Sequence, residues 1–186
     1  MIVQIDSRII EQCRCGDTSA FKTVVQTYQQ MIYSLSLKML ADEEEAKDIV
    51  QETFIKAWQS IGVYDGRYSF STWLYTIASR LCIDRIRKLR FSEPLPDDIT
   101  VFEEYASDSS PERQLESREW VSVIKVLAQK LSNKQRLVFT LSQLEGLDTE
   151  EITRITGMDA TQIKSNLSLA RKSVRQQLIK LGYEKD

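Results

Sequence analysis

The stretch SFSTWLYTIASRLCIDRIRK, residues 69–88, is the segment from which the fold of this chain can be worked out. Its apolar residues recur with the three- and four-residue spacing of one helix face. They are Phe70, Trp73, Leu74, Ile77, Ala78 and Leu81. Four basic residues fall in the same stretch, although the whole chain has a net charge of −2. The pattern predicts a helix that packs one face against the protein and exposes a basic face. Aromatic and hydroxyl groups lie beside these basic residues, and this combination suits binding to an opened DNA strand.

Composition favours helices throughout. The 186 residues include only six glycines and three prolines, too few for a turn-rich β protein. No apolar run is long enough to span a bilayer, and the first residues lack the layout of a signal peptide. We therefore expect a cytoplasmic protein without membrane insertion.

The residue types offer little catalytic chemistry. Histidine is absent, the three cysteines suggest no disulfide framework, and no glycine-rich phosphate loop occurs. We expect a protein that is not an enzyme, with no catalytic residues, no cofactor and no metal site.

Charge divides the chain into three parts. Residues 1–90 have a net charge of +1 and residues 113–186 a net charge of +4. Residues 91–112 carry seven acidic and no basic side chains and hold all three prolines. Because proline breaks helices, this block is predicted to be a linker. The predicted fold class is all-α, with two small helical domains joined by an acidic linker, the C-terminal one containing a helix-turn-helix.

Residues 149–172, TEEITRITGMDATQIKSNLSLARK, have the helix, glycine-containing turn and second helix of a helix-turn-helix. Five basic and no acidic residues follow between positions 160 and 180, a balance that favours phosphate contact. Side chains near the start of the second helix could reach base edges. These are Thr161, Gln162, Lys164, Ser165 and Asn166. A plain helical hairpin has similar periodicity, so spacing alone leaves both readings open.

Three motifs in this order resemble one family. They are EEAKDIVQETFIKAW at residues 44–58, FSTWLYTIASRLCIDRIRK at 70–88, and LSNKQRLVFTL…LEGLDTEEITRITG…IKSNLSLARK within 131–172. The chain resembles the extracytoplasmic-function sigma factors of bacteria, the compact two-domain members of the sigma-70 class. The resemblance implies a promoter-specificity subunit that binds core RNA polymerase and directs initiation by recognising and helping to melt promoter DNA.

The resemblance also implies roles for the three parts and their residues. Residues 1–90 would be the region 2 domain, which binds core polymerase and reads and melts the minus-ten element, and residues 113–186 the region 4 domain, which reads the minus-thirty-five element. The linker resembles the segment threaded through the RNA exit path. The implied core-binding residues are Asp48, Gln51, Glu52, Phe54, Lys56 and Trp58. The implied minus-ten residues are Asp65, Arg67, Tyr68, Ser69, Thr72, Tyr75, Thr76, Ser79, Arg80, Asp84, Arg87 and Lys88. The implied minus-thirty-five residues are Thr161, Gln162, Lys164, Ser165, Asn166, Ser168, Arg171 and Lys172.

The implied partners are core RNA polymerase, promoter DNA as duplex and melted strand, and an anti-sigma factor. The chain departs from the family pattern at three positions. Arg80 stands where the family usually has asparagine, and Asn166 and Leu169 stand where it usually has arginines. Because the last two lie in the recognition helix, they bear on the contact with the upstream element.

Two other functions are compatible with single features. A free-standing helix-turn-helix regulator would use only the C-terminal part and leave residues 48–61 and the linker unexplained. A metal-dependent nuclease could use the carboxylates of residues 42–52, but those at the helix start also suit the helix dipole. Because the acidic linker can compete for the basic faces, we also expect the isolated chain to bind duplex DNA poorly until polymerase holds the domains apart.

Overall fold

The structure is a computed structural model that describes residues 4–92 and 130–180. All regular secondary structure in these ranges is helical, which confirms the predicted fold class. The N-terminal part consists of α1 (Ser7–Arg14), α2 (Thr18–Leu40), α3 (Glu43–Ser60), a 3-10 turn (Ile61–Val63) and α4 (Phe70–Ser92). The C-terminal part consists of α5 (Asn133–Phe139), a π-helical turn (Thr140–Leu144), α6 (Thr149–Thr156) and α7 (Ala160–Lys180). The predicted acidic linker lies outside the described residues, apart from its first two positions.

Short polar side chains start the helices. The position of Asp17, Asp42, Ser132 and Asp148 ahead of helical apolar patterns predicts N-caps there. The carboxylate of Asp17 accepts hydrogen bonds from the first backbone N–H groups of α2. Asp42 does the same for α3 through the N–H of Glu45. Complete capping boxes start α5, at Ser132 with Gln135, and α6, at Asp148 with Glu151. These boundaries are local properties of the sequence.

The helix that starts at Asn133 differs from its prediction. The periodicity predicts one α-helix to about residue 144, but the α-helix ends at Phe139 and continues as the π-helical turn. The backbone N–H of Glu145 donates to the carbonyl of Thr140 at 3.0 Å, which closes the wider turn. The turn keeps Leu141 fully buried and brings the Glu145 side chain to α2.

One apolar core runs through both parts of the chain. It joins buried residues of α1 to α4 with buried residues of α5, the π-helical turn and α6. Ile32 and Leu74 are among its members from the N-terminal part, and Leu137, Leu141 and Ile152 among those from the C-terminal part. Burial of apolar area is the main favourable term in folding, so the core holds the two parts against each other in this conformation. We call this arrangement the closed conformation.

Candidate functional site

The six predicted core-binding residues lie on α3, which the Asp42 cap starts. Asp48, Gln51 and Lys56 are exposed, whereas Glu52 and Trp58 are half-buried and Phe54 is buried. Phe54 and Trp58 both pack on Phe21 of α2 with edge-on ring geometry, at centroid distances of 6.3 and 4.8 Å. The charged and apolar members of the predicted set therefore occupy adjoining parts of one helix surface.

An apolar groove of about 510 Å³ lies beside these charges. It is lined by Thr18, Phe21, Gln51, Phe54, Ile55, Trp58 and Gln59. Ile55 is largely exposed although it is a large apolar residue. The sequence motif did not point to Phe21 or Ile55. Ile55 could have been found from the sequence, because its apolar side chain falls outside the buried stripe of its own helix. Phe21 has no such signal, because its place in the groove depends on the packing of α2 against α3.

Arg85 of α4 joins the carboxylates of α3. It forms an ion pair with Glu45, and its guanidinium lies 3.9 Å from Asp48 and 3.7 Å from Glu52. Arg85 is partly buried, so its charge is less screened than that of a surface arginine. No motif assigned it a role. It holds three acidic side chains in a row along α3 and ties that row to α4.

The loop before α4 holds four of the predicted minus-ten residues. Asp65 accepts from the backbone N–H of Arg67 and pairs with its side chain, both at 3.0 Å. The Tyr64 hydroxyl donates to the carbonyl of Tyr68 at 2.6 Å, and the Tyr64 ring packs on the start of α4. Ser69 forms hydroxyl hydrogen bonds to α4. These bonds give the loop a defined shape beside a cavity of about 640 Å³.

The predicted minus-ten residues of α4 divide into two groups. Exposed side chains lie towards its C-terminal half: Arg80, Asp84, Arg87 and Lys88. Thr76 is half-buried, and three others are buried: Thr72, Tyr75 and Ser79. The periodicity predicts one packed and one open face, but the C-terminal part of the chain packs against this second side of α4 and buries it.

Glu145 is the centre of the polar contact between the two parts. Its side chain is only 9% exposed and accepts hydrogen bonds from Tyr75 at 3.0 Å, Ser34 at 3.1 Å and Lys38 at 2.7 Å. Burial, and then the neighbouring charge of Glu145, raises the pKa of the Tyr75 hydroxyl, so this group stays a hydrogen-bond donor. The π-helical turn thus places a nearly buried anion against α2 and α4.

Two arginines of the C-terminal part make further contacts across the closed conformation. Arg136 is buried and donates to the carbonyl of Met39 at 2.9 Å. The guanidinium of Arg154, on α6, lies 4.7 Å from the centre of the Tyr68 ring in the predicted minus-ten loop. The helix-turn-helix therefore covers part of the surface predicted to read the minus-ten element.

The predicted minus-thirty-five residues lie on α7, with one face packed and the other open. All eight are exposed except the half-buried Asn166. Asp159 and Gln162 exchange hydrogen bonds at the helix start, and the Asn166 amide donates to the carbonyl of Gln162 at 2.8 Å. Gly157, at a φ of 72°, makes the left-handed turn between α6 and α7 that glycine adopts without strain. The exposed cations are on the surface that a helix-turn-helix presents to DNA.

Two further observations concern membranes and metal ions. None of the helices in residues 4–92 and 130–180 combines the length and apolarity needed to cross a membrane. Within the described part of the chain, no three acidic, cysteine or histidine side chains are placed to hold a metal ion together.

Comparison with known proteins adds the family context. Residues 24–91 match the family model described as Sigma-70 region 2, and residues 123–174 match Sigma-70, region 4. The ECF RNA polymerase sigma factor SigW of Bacillus subtilis is 35% identical over 176 residues, which cover 91% of this chain and 94% of that protein. The RNA polymerase sigma-H factor of Pseudomonas aeruginosa is 31% identical over the same length, covering 91% of each.

Two solved structures share the fold. CnrH in complex with the cytosolic domain of CnrY has a TM-score of 0.68 at 20% identity, over 92% of this chain and 96% of that one. The sigma factor RpoE in complex with the anti-sigma factor NepR from Bartonella quintana has a TM-score of 0.67 at 23% identity, over 85% and 96%.

Proposed function

The chain belongs to the extracytoplasmic-function group of the sigma-70 family, and on this premise we propose how its surfaces divide the work of a promoter-specificity subunit. As a sigma factor, it directs RNA polymerase to a specific set of promoters. The observation that carries this conclusion is the presence of both regions 2 and 4 in one chain. A free-standing helix-turn-helix regulator would account only for the second of them. In this role the chain adds no catalytic step of its own and acts in the cytoplasm, where the polymerase is.

The α3 surface is the proposed docking site for core polymerase. Its support is the juxtaposition of an acidic row, formed by Glu45, Asp48 and Glu52, with the apolar groove beside Trp58. An exposed apolar patch with a charged rim is typical of a protein–protein interface. Arg85 keeps the acidic row in place.

The loop at residues 62–69 and helix α4 are the proposed reader of the minus-ten element. Arg80, Arg87 and Lys88 offer cations to the phosphates of an opened strand, and Tyr75 offers an aromatic face. The Tyr75 ring is buried in the closed conformation, where its hydroxyl contacts Glu145 of the C-terminal part. Recognition of the minus-ten strand by Tyr75 therefore requires the two parts to separate. Helix α7 would read the minus-thirty-five element in the major groove, with Lys164 among its phosphate contacts.

The closed conformation is therefore proposed as the resting form of the free chain. This proposal extends the prediction that the isolated chain binds promoter DNA poorly. Direct packing between the two parts would hide the DNA-binding surfaces, in addition to the competition expected from the acidic linker. Core polymerase would stabilise the open form because it can bind the parts separately. An anti-sigma factor, as implied by the family, would stabilise a form that cannot bind polymerase.

In vitro transcription tests this function directly. The chain is mixed with bacterial core polymerase and fragmented genomic DNA, and the transcripts are sequenced from their 5′ ends. We expect starts confined to a small set of promoters that share upstream and minus-ten sequences. Starts no different from those of core polymerase alone, or failure of the chain to co-purify with core polymerase, would refute the proposal.

A further inference from the structure

The first half of α7 contains one large apolar residue that is exposed. Leu169 is 53% exposed, whereas Ile163, Ala170 and Val174 supply the buried face of the same helix. Residues three and four positions apart are neighbours on a helix, so Leu169 lies between Ser165 and Lys172. It is not among the residues of α7 that pack into the buried apolar clusters, such as Ala170 and Val174.

The longer polar side chains nearby are engaged within the protein. The Gln162 oxygen accepts from the backbone of Asp159, and the Asn166 amide donates to the backbone carbonyl of Gln162. Further along, the Arg171 guanidinium donates to the side chain of Gln143 at 3.2 Å. Amide and guanidinium groups, the kinds that usually read adenine and guanine, are thus each engaged in a hydrogen bond within the protein.

The other exposed side chains of the first three turns are Ala160, three hydroxyl residues, one lysine and Leu169, and Leu169 is the large apolar one among them. In the major groove, the C5-methyl of thymine is the apolar group that distinguishes one base from the others. An exposed leucine facing the groove has no hydrogen bond to offer, so its favourable partner there is that methyl group.

We propose that Leu169 is a specificity-determining residue, which recognises a thymine of the upstream promoter element by apolar contact with its methyl group. The inference rests on the proposed function of α7 as the upstream reader. It predicts that the element contains a thymine whose methyl group, rather than its hydrogen-bonding edge, carries the preference.

The test uses the complex of the chain with core polymerase. The probe is selected from duplexes with ten randomised upstream base pairs joined to a fixed, pre-opened minus-ten segment. Each thymine of the selected sequence is then replaced by deoxyuridine, which lacks only the methyl group. At one position we expect the affinity to fall about fourfold, which corresponds to the loss of the burial free energy of one methyl-sized group. The same replacement should have no effect on the Leu169→Ala variant, whose affinity for the thymine probe is already reduced.

A matched control is available on the same helix. Ile179 is also a large, exposed apolar residue, at 43% exposure, but lies about 15 Å further along the axis. Ile179→Ala should leave the deoxyuridine effect unchanged. In a repeated selection, Leu169→Arg should replace the methyl-sensitive thymine by guanine, which arginine reads with two hydrogen bonds.

The outcomes separate this inference from the function on which it rests. If Lys164→Ala weakens upstream binding but no deoxyuridine replacement has a Leu169-dependent effect, α7 is the upstream reader and the inference about Leu169 is wrong. If neither Lys164→Ala nor Leu169→Ala changes upstream binding, the assignment of α7 itself is wrong.

Discussion

Replacing Glu145 by alanine should open the closed conformation. Glu145 accepts hydrogen bonds from three side chains of the N-terminal part and is the counter-charge of Lys38. After the substitution, the Lys38 ammonium keeps only a 3.4 Å contact with the carbonyl of Leu144, and the buried Tyr75 hydroxyl loses its acceptor. All the lost contacts cross between the two parts of the chain, so the cost falls on closure more than on either part alone.

The size of the effect follows from burial. Removing one partner of a fully buried ion pair costs about 3–5 kcal/mol, because the other charge is left uncompensated. The Lys38 side chain is 20% exposed and can regain some hydration, so we expect about 2–3 kcal/mol. This corresponds to a shift of about 30- to 150-fold towards the open form. As a control, Glu44→Ala removes an exposed pair with Lys47 within the N-terminal part and should leave closure unchanged.

Two measurements report on opening. Small-angle X-ray scattering should give Glu145→Ala a larger radius of gyration than the unmodified chain and the Glu44→Ala control. Hydroxyl-radical footprinting should show faster oxidation of the Tyr75 ring, which is 2% exposed when closed. If the variant melts at a lower temperature but keeps the scattering and Tyr75 oxidation of the unmodified chain, Glu145 stabilises the fold without holding the two parts together, and the reasoning fails.

Three further predictions concern separate parts of the protein. Arg85→Met should weaken binding to core polymerase several-fold, because the acidic row of α3 loses its support. The affinity is measured by fluorescence titration, with Lys88→Met as the exposed-site control. Equal affinities for the two variants would contradict this prediction. Lys164→Ala should lower the slope of the logarithm of the DNA-binding constant against the logarithm of salt concentration by about one. Arg80→Ala should instead impair transcription from a duplex template, and activity should recover on a pre-opened template. Equal failure of both variants on both templates would refute the division of labour between α4 and α7. Burial raises the pKa of the Cys82 thiol to about 12 from its ordinary value of 9.0. Between about pH 9 and 12 the thiol stays protonated in the folded chain but is deprotonated in the unfolded chain, so the stability of the fold should fall as pH rises through this range. Cys82→Ala should flatten this fall in the melting temperature. Parallel plots of melting temperature against pH for the two proteins would exclude the thiol as its cause.

The helices could be predicted because their signals are local. A cap such as Asp17 or Ser132 satisfies backbone groups within four residues of itself, so its effect can be read directly from the sequence. The turn at Gly157 and the exposed cations of α7 are local in the same sense. The motif around α3 likewise led to the helix surface that holds the proposed docking residues.

The contacts between the two parts could not be predicted because they join residues about a hundred positions apart. The partners Lys38 and Glu145 have ordinary neighbours in the sequence, and neither is part of a repeated pattern. Periodicity also misleads for α4, since it assumes one packed face, whereas Tyr75 and Ser79 are buried on a second side. The π-helical turn, which brings Glu145 into position, has no sequence signal that distinguishes it from a continued α-helix.

The same contacts affect how tightly the chain binds its partners. If only the open form can use α4 and α7 together, the apparent affinity for polymerase and promoter equals the intrinsic affinity multiplied by the open fraction. The apolar core that joins the two parts favours closure, and the Glu145 contact adds to it. This polar contribution is suited to control, because water can replace its hydrogen bonds on opening. Variants that open the chain should therefore bind polymerase more tightly and bind DNA without it. On the proposal that the closed conformation is the resting form, the intact contact would restrict promoter recognition to the assembled enzyme.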